Sequence, residues 1–175
     1  MVLILRLPLD HVCVKTGVLC PRCERLVSTG AVEQFEIEVM RGLIDLEDNQ
    51  ELKRYMQNLV YVKSYRFRDS IVILVQRVGE IPPDVYQKIS KMLGDMLNAR
   101  VRVINGSSRD IKSIASQLLF PARVLGINTV WLPDGTSFHV LRVPRRDLRL
   151  ISLPLEAAEK ILSLIVGSEV QIRGE

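Results

Sequence analysis

Five consecutive aliphatic residues in the middle of the chain, Ile71–Val75, constrain its fold more than any other segment. A short run of this kind is typical of a strand that is covered on both faces, because neither face is polar enough to lie in water. The preceding segment, Leu59–Phe67, is rich in β-branched and aromatic residues, and only Arg68 and Asp69 separate it from a strand over Ser70–Gln76. We therefore predict a hairpin whose second strand lies inside a sheet.

Helical patterns lie on both sides of this hairpin. Apolar residues recur at helical spacing before it, at Phe35, Val39, Leu43 and Leu46, and after it, at Val85, Ile89, Met92 and Met96. A further short helix is expected over Asn49–Asn58, and Pro82-Pro83 opens the later helix, since proline fits the first helical turn. A strand over Arg100–Ile104 completes this part. Ahead of it we expect a strand at residues 2–7 and a turn-rich segment from Pro8 to Gly30.

The same order of elements returns after the turn signal Asn105–Ser108. Ser108 is expected to cap a helix over Arg109–Leu119. Two strands joined by Pro133–Gly135 should then form a hairpin, in which Trp131 and Phe138 pack. The elements predicted from here on are strands near Ala122–Leu132 and over Thr136–Val143, a basic segment Pro144–Arg149, a helix Leu155–Ile165 and a strand Ser168–Arg173.

Both halves of the chain thus contain helix, strand, strand, helix and strand in that order. This pattern predicts an α+β protein in which each half forms a three-stranded sheet backed by helices. We place the domains at residues 1–30 for the N-terminal segment with the cysteines, 31–105 for the first α+β domain and 106–175 for the second. The 175 residues are enough for two small domains and a short appendage.

Charge is distributed unevenly between the two halves. From Arg100 to Arg149 there are nine basic and three acidic residues, whereas Glu33–Glu51 holds seven acidic residues and only Arg41 among the basic ones. The second half therefore attracts polyanions, and the acidic segment repels them. Two solvated faces without a ligand would account for the same pattern.

Two segments of the second half resemble a known family. Gln117–Gly126, with the run Phe-Pro-Ala-Arg-Val, and Thr129–Gly135 resemble the second KH domain of archaeal NusA-like proteins. Arg142–Asp147 is similar to the strand and the segment that lead to the family's nucleic-acid-facing loop, and Gly17–Cys23 resembles a subgroup with an N-terminal cysteine knuckle. The resemblance implies two tandem prokaryotic-type (type II) KH-like domains, RNA binding, and a role in transcription elongation or termination.

Neither half carries the loop with which a KH domain holds the RNA backbone. That loop has the pattern Gly-x-x-Gly, because glycine lets the main chain approach a phosphate closely. The corresponding segments here, Asp84–Ile89 and Asp147–Pro154, contain no glycine. We therefore expect RNA to bind at another basic surface rather than at these loops.

Three cysteines lie within eleven residues of one another. Cys20 and Cys23 have the spacing that places two thiolates on one metal ion, and Cys13 is a candidate third ligand. The knuckle of the resembling subgroup has four cysteines, and Asp10 stands where the first of them would be, so either Asp10 or its neighbour His11 would complete a zinc site. We predict Zn²⁺; free thiols held by packing are the alternative. A redox pair would need a thioredoxin-like context, which the sequence lacks.

The candidate RNA-binding residues are arginines of the second half and one lysine of the first. Arginine suits phosphate because its planar fork donates two parallel hydrogen bonds. The residues are Arg123, Arg142, Arg145, Arg146, Arg149 and Lys88, of which Lys88 stands where a KH loop would offer a basic side chain.

We find no catalytic motif, and therefore expect a protein that is not an enzyme. No export signal or membrane span is evident, which favours the cytoplasm. The expected partners are RNA and either RNA polymerase or a ribonucleoprotein. Two alternatives stay open: an adaptor that docks on such a protein assembly, and a ribosome-associated or ribosome-assembly factor.

Overall fold

A computed structural model describes residues 5–77, 79–107 and 110–175. Its α-helices are α1 His11–Thr16, α2 Pro21–Ser28, α3 Gln34–Glu47, α4 Lys53–Met56, α5 Pro83–Leu97, α6 Ile111–Leu119 and α7 Leu155–Val166, with a 3₁₀ helix at Arg145–Leu150. Its strands are β1 Leu59–Phe67, β2 Ser70–Arg77, β3 Arg100–Asn105, β4 Gly126–Trp131, β5 Ser137–Val143 and β6 Val170–Gly174. The predicted α+β class is confirmed, as is the predicted order of the elements from residue 31 onward.

The chain divides into two compact units. The first contains the described residues up to Ser64 together with Ile73–Ser107, and the second contains Tyr65–Val72 together with the described residues from Asp110 onward. Each sheet has three strands, in the order β1-β2-β3 and β4-β5-β6. The helices α1 and α2 belong to the first unit.

The central position of β2 explains its uninterrupted aliphatic sequence. β2 lies between β1 and β3, and all five residues of Ile71–Val75 are buried, so the predicted central strand is confirmed. In the first unit, α5 packs against β3 and against α3. Gly42 allows the close approach of the two helices, because a Cβ at this position would lie 2.8 Å from Cδ2 of Leu93.

The second sheet is mixed. β4 pairs with β5 in antiparallel fashion, and β5 pairs with β6 in parallel fashion, which places Leu141 opposite both Ile127 and Ile172. Leu141 and Ile172 are buried, as are Ile161 and Leu162 of α7. The helices α6 and α7 contact each other, and α7 contacts β6. One face of the sheet is thus held by aliphatic packing, as its alternating sequence requires.

The segment from Pro8 to Gly30 differs from its prediction as a turn-rich region. It forms α1 and α2, because Asp10 and Cys20 have extended backbones suited to N-caps and Gly17 ends α1 in the left-handed conformation. Val14 of α1 is fully buried, and its carbonyl accepts a hydrogen bond from Nε of Arg41 in α3. The short helices are therefore anchored on the first unit.

Two further details differ from expectation. Asp110 caps α6 and accepts a hydrogen bond from the backbone N–H of Lys112, whereas the predicted cap, Ser108, lies outside the described residues. Of the strand predicted at residues 2–7, the described part forms a single bridge between Arg6 and Val60; residues 1–4 lie outside the described residues.

A buried carboxylate connects α3 to β1. Oε1 of Glu36 accepts hydrogen bonds from the Tyr61 hydroxyl at 2.7 Å and from the backbone N–H of Ser64 at 2.9 Å. Oε2 of Glu36 accepts one from the N–H of Glu33, which forms a capping box at the start of α3. Burial, followed by the Glu36 carboxylate beside it, raises the pKa of Tyr61, so its hydroxyl stays protonated and donates.

Replacement of Tyr61 by Phe should destabilise the first unit. The substitution removes one donor from a buried carboxylate, and we expect the free energy of unfolding to fall by about 1–3 kcal/mol, measured by urea denaturation. Tyr55→Phe is the control, because the Tyr55 hydroxyl accepts a hydrogen bond from Arg54 at the surface. An effect of equal size in both variants would show that Tyr61 does not stabilise the first unit through its hydrogen bond to Glu36.

Candidate metal centre and basic surface

Four side chains converge at the starts of the first two helices. The ligand atoms of Asp10, Cys13, Cys20 and Cys23 all lie within 4.8 Å of one another. Asp10 and Cys20 are the N-cap residues of α1 and α2, and Cys13 and Cys23 are the third residues of the same helices. The two halves of the cluster are therefore built in the same way.

In each helix, the backbone of the N-cap residue donates a hydrogen bond to a cysteine thiol of the other helix. The backbone N–H of Asp10 donates to Sγ of Cys23 at 3.3 Å, and the backbone N–H of Cys20 donates to Sγ of Cys13 at 3.3 Å. N-cap residues have backbone N–H groups that the helix itself leaves unpaired. Because the N-cap residue of each helix donates to a cysteine sulfur of the other, these two hydrogen bonds fix the helices relative to each other and bring the four side chains together.

The four groups differ in exposure and acidity. Cys13 and Cys23 are buried, Cys20 is half-buried and Asp10 is exposed. Burial raises the pKa of the Cys23 thiol to about 11, whereas a hydrogen bond from the Cys23 backbone lowers the pKa of Cys20. Hydrogen bonds from Cys20 and then Arg22 lower the pKa of the Asp10 carboxyl group.

The donor set fits a metal ion that accepts sulfur and oxygen ligands in a tetrahedral arrangement. Oδ2 of Asp10 lies 3.4 Å from Sγ of Cys20 and 3.8 Å from Sγ of Cys23. Metal–sulfur bonds of about 2.3 Å and metal–oxygen bonds of about 2.0 Å at a tetrahedral angle give sulfur–oxygen separations of about 3.5 Å. The four residues thus lie close enough to hold a metal ion.

His11 has a different partner from its neighbour. Its Nε2 lies 3.6 Å from Oε1 of Glu47 in α3, and its ring is not part of the four-residue cluster. Of the two candidates for the fourth ligand, the structure therefore brings Asp10 to the three cysteines.

A buried carboxylate organises the basic segment of the second unit. The Asp147 side chain is only 8% exposed, and its Oδ2 accepts hydrogen bonds from both the backbone N–H and Nε of Arg123, each at 3.2 Å. Nε of Arg146 lies 3.7 Å from the other oxygen. The hydrogen bond from the Arg123 backbone lowers the pKa of Asp147, with the Arg123 side chain and then Arg146 adding to the effect.

The predicted arginines lie along this segment and the strand before it. Arg123, Arg145, Arg146 and Arg149 are exposed, and Arg145–Leu150 forms the 3₁₀ helix. Arg142 on β5 is half-buried, with Nη1 3.4 Å from a carboxylate oxygen of Glu175. Its guanidinium lies close to β4, since a Cβ at Gly126 would be 2.5 Å from Nη2 and would displace the end of the arginine side chain.

Lys88 is not part of the arginine segment of the second unit. It belongs to α5 in the first unit and forms an ion pair with Glu51. The segment Asp84–Ile89, which corresponds to the KH loop in the first half, lies within α5. The corresponding segment of the second half, Asp147–Pro154, contains the end of the 3₁₀ helix. Neither segment has the glycines that a close phosphate contact requires.

The hairpin of β4 and β5 differs from its prediction. Trp131 was expected to pack within the hairpin, but the residue is 73% exposed, and its neighbours Val130 and Leu132 are exposed as well. Val130 faces Phe138, and Trp131 faces Ser137, across the two strands. Apolar side chains are therefore exposed near the tip of the hairpin.

Sequence reasoning missed two residues of these sites. Arg22 donates to the Asp10 carboxylate, and Asp147 anchors the arginines. The signal for Arg22 was its position between Cys20 and Cys23. The signal for Asp147 was that it is the one acidic residue within Pro144–Arg149.

Comparison with known proteins identifies a similar fold. No family model and no curated protein matches the chain. The crystal structure of a protein called APE1850 matches 77% of this chain and 96% of its own, with 19% sequence identity and a TM-score of 0.51. At this level of identity the likeness concerns the fold alone. Within the described part of the chain, no helix combines the length and the apolar character needed to span a membrane.

The Asp147 carboxylate should make stability depend on pH. Because its folded pKa is depressed, its contribution is present above the ordinary carboxyl pKa of about 4 and is lost as the pH falls through the folded value. We expect Asp147→Asn to lower the urea midpoint at pH 7, and we expect the difference from the wild type to shrink as the pH falls below 4. Asp95→Asn, at an exposed position on α5, is the control. If the difference in urea midpoint between Asp147→Asn and the wild type does not change with pH, Asp147 is not the group responsible for the pH dependence.

Proposed function

We propose that the protein is a non-catalytic RNA-binding protein of the NusA-like class, with tandem KH-like domains and a role in transcription elongation or termination. The observation that carries the proposal is the exposed arginine segment of the second unit. There Arg145, Arg146 and Arg149 lie in the same 3₁₀ helix as Asp147, a buried carboxylate that holds Arg123.

The topology of the second unit supports the KH-like part of the proposal. β5 is the central strand, with an antiparallel neighbour, β4, that precedes it in the chain and a parallel neighbour, β6, that follows α7. A helix before the hairpin and a parallel return strand are what the prokaryotic-type KH arrangement, implied by the resemblance, requires. The first unit repeats the order of helices and strands with β2 at its centre.

The arginine segment is suited to a phosphate backbone. Guanidinium groups donate paired hydrogen bonds to phosphate oxygens and keep their charge at any physiological pH. Asp147 offsets one positive charge but fixes the direction of the Arg123 side chain and the course of the 3₁₀ helix. Contact with phosphate through side chains would replace the main-chain contact of a Gly-x-x-Gly loop.

A double substitution, Arg145→Ala with Arg146→Ala, should weaken binding to a labelled single-stranded RNA several-fold. Two lost phosphate contacts would also flatten the slope of log affinity against log salt by about 1.4, since each contact on a single strand adds about 0.7. Binding is measured by fluorescence anisotropy between low and physiological salt.

Lys53→Ala with Arg54→Ala is the matched control, because these adjacent basic residues are exposed on α4 in the first unit. The proposed surface is excluded if both double variants lose the same affinity, or if the arginine variant keeps the wild-type salt slope.

For the four-residue cluster, we propose that the metal is zinc and that its role is structural. Three thiolates and one carboxylate suit Zn²⁺, which has no geometric preference of its own and accepts both sulfur and oxygen ligands. Two of the thiols are buried, and all four ligands come from the protein, as in closed structural sites. Zinc would stabilise two helices that are too short to be stable alone.

Protein purified without added metal should contain about one equivalent of zinc by mass spectrometry. We expect less than half an equivalent in Cys20→Ala and in Asp10→Ala, because each removes a ligand. His11→Ala is the control, since its ring lies against Glu47. Equal zinc loss in the His11 and Asp10 variants would contradict the ligand assignment, and a wild type without metal would contradict the zinc site.

A second candidate function is an adaptor that binds RNA polymerase or a ribonucleoprotein through protein contacts. The exposed apolar side chains near the tip of the β4–β5 hairpin, Val130, Trp131 and Leu132, favour this alternative, since exposed aromatic residues are typical of protein interfaces. The titration with single-stranded RNA distinguishes the RNA-binding protein from the adaptor. Micromolar or tighter affinity at physiological salt supports an RNA-binding protein, and binding confined to low salt supports the adaptor.

A further inference from the structure

The Asp10 carboxylate has two oxygens with different partners. Oδ2 faces the thiols of Cys20 and Cys23, at 3.4 and 3.8 Å. Oδ1 accepts a hydrogen bond from Nη2 of Arg22 at 2.7 Å, a distance typical of a charge-assisted hydrogen bond. Arg22 is the second residue of α2 and stands between two of the cysteines in the chain. One oxygen is thus held outside the cluster while the other points into it.

We propose that Arg22 is a positioning residue of the metal site, which acts through Asp10 by holding its carboxylate with one oxygen toward the metal. The inference rests on the metal site of the proposed function. A carboxylate binds a metal through one oxygen or through both, and an exposed side chain such as Asp10 is free to turn between these arrangements. A hydrogen bond to Oδ1 selects the single-oxygen arrangement and leaves three positions for the thiolates.

The need for such a residue follows from the difference between Asp10 and the cysteines. Cys13 and Cys23 are buried, and their sulfur atoms accept backbone N–H groups, so packing and the main chain orient them. Asp10 projects into water, with 53% of its side chain exposed. Residues that hydrogen-bond to a metal ligand from outside orient it and raise the affinity for the metal.

The competing explanation is an ordinary surface ion pair. The Arg22 side chain is 61% exposed, and pairs with this exposure contribute little to stability. Such a pair would leave the affinity for a metal unchanged. The two explanations are distinguished by whether the effect of Arg22 depends on the carboxylate at position 10.

The test measures zinc affinity of the full chain by competition with a chromophoric chelator. We expect Arg22→Ala to weaken zinc binding by about 10- to 100-fold, and Arg22→Lys to recover part of the loss because it keeps one donor. Arg25→Ala is the matched control, since it removes the same charge from an exposed position one turn further along α2. Cobalt-substituted protein supplies a second readout, in which Arg22→Ala should alter the visible absorption bands and Arg25→Ala should not.

The dependence on Asp10 is tested in an Asp10→Cys background. A fourth thiolate has no second oxygen to position, so adding Arg22→Ala there should change zinc affinity at least several-fold less than it does in the wild type. The inference is overturned if Arg22→Ala matches Arg25→Ala, or if it costs the same affinity in both backgrounds, since Arg22 would then act on the fold. Wild-type protein that binds neither zinc nor cobalt overturns the proposed metal site and this inference together.

Discussion

Burial of aliphatic side chains between each sheet and its helices is the interaction on which the rest of the structure depends. Aromatic residues make up only 5% of the chain, so valine, leucine and isoleucine fill both units. Each such side chain contributes about 1.5–3 kcal/mol when it is fully removed from water. β2 shows the requirement most clearly, because a strand with Ile71–Val75 is stable only where both faces are covered.

Within this aliphatic framework, each unit contains a buried carboxylate that accepts hydrogen bonds from its neighbours. Glu36 accepts hydrogen bonds from Tyr61 and Ser64 in the first unit, and Asp147 accepts them from Arg123 in the second. A buried charge without partners would cost several kcal/mol, so its neighbours must hold fixed positions. Glu36 thereby orders the start of α3, and Asp147 orders the arginine segment.

Much of the fold was predictable because the helices and strands follow local rules. The apolar spacing of α3 and the proline start of α5 required no knowledge of tertiary structure. The helices α1 and α2 were not predicted, because each is short and is stabilised by the other through the two N–H···S hydrogen bonds. At the candidate sites, the cysteines were evident from spacing, whereas Asp147 and Arg22 act through contacts that spacing does not reveal.

The sequence by itself determined the α+β class, the order of the elements after residue 30, and the presence of a cysteine cluster and an arginine segment. Only the tertiary structure decided that Asp10 rather than His11 joins the cysteines, since the two are adjacent and both are acceptable ligands. It also decided that Lys88 pairs with Glu51 and that Trp131 is exposed. The physical reason is that local sequence specifies backbone conformation, whereas the partner of a polar or aromatic side chain depends on residues that are distant in the chain.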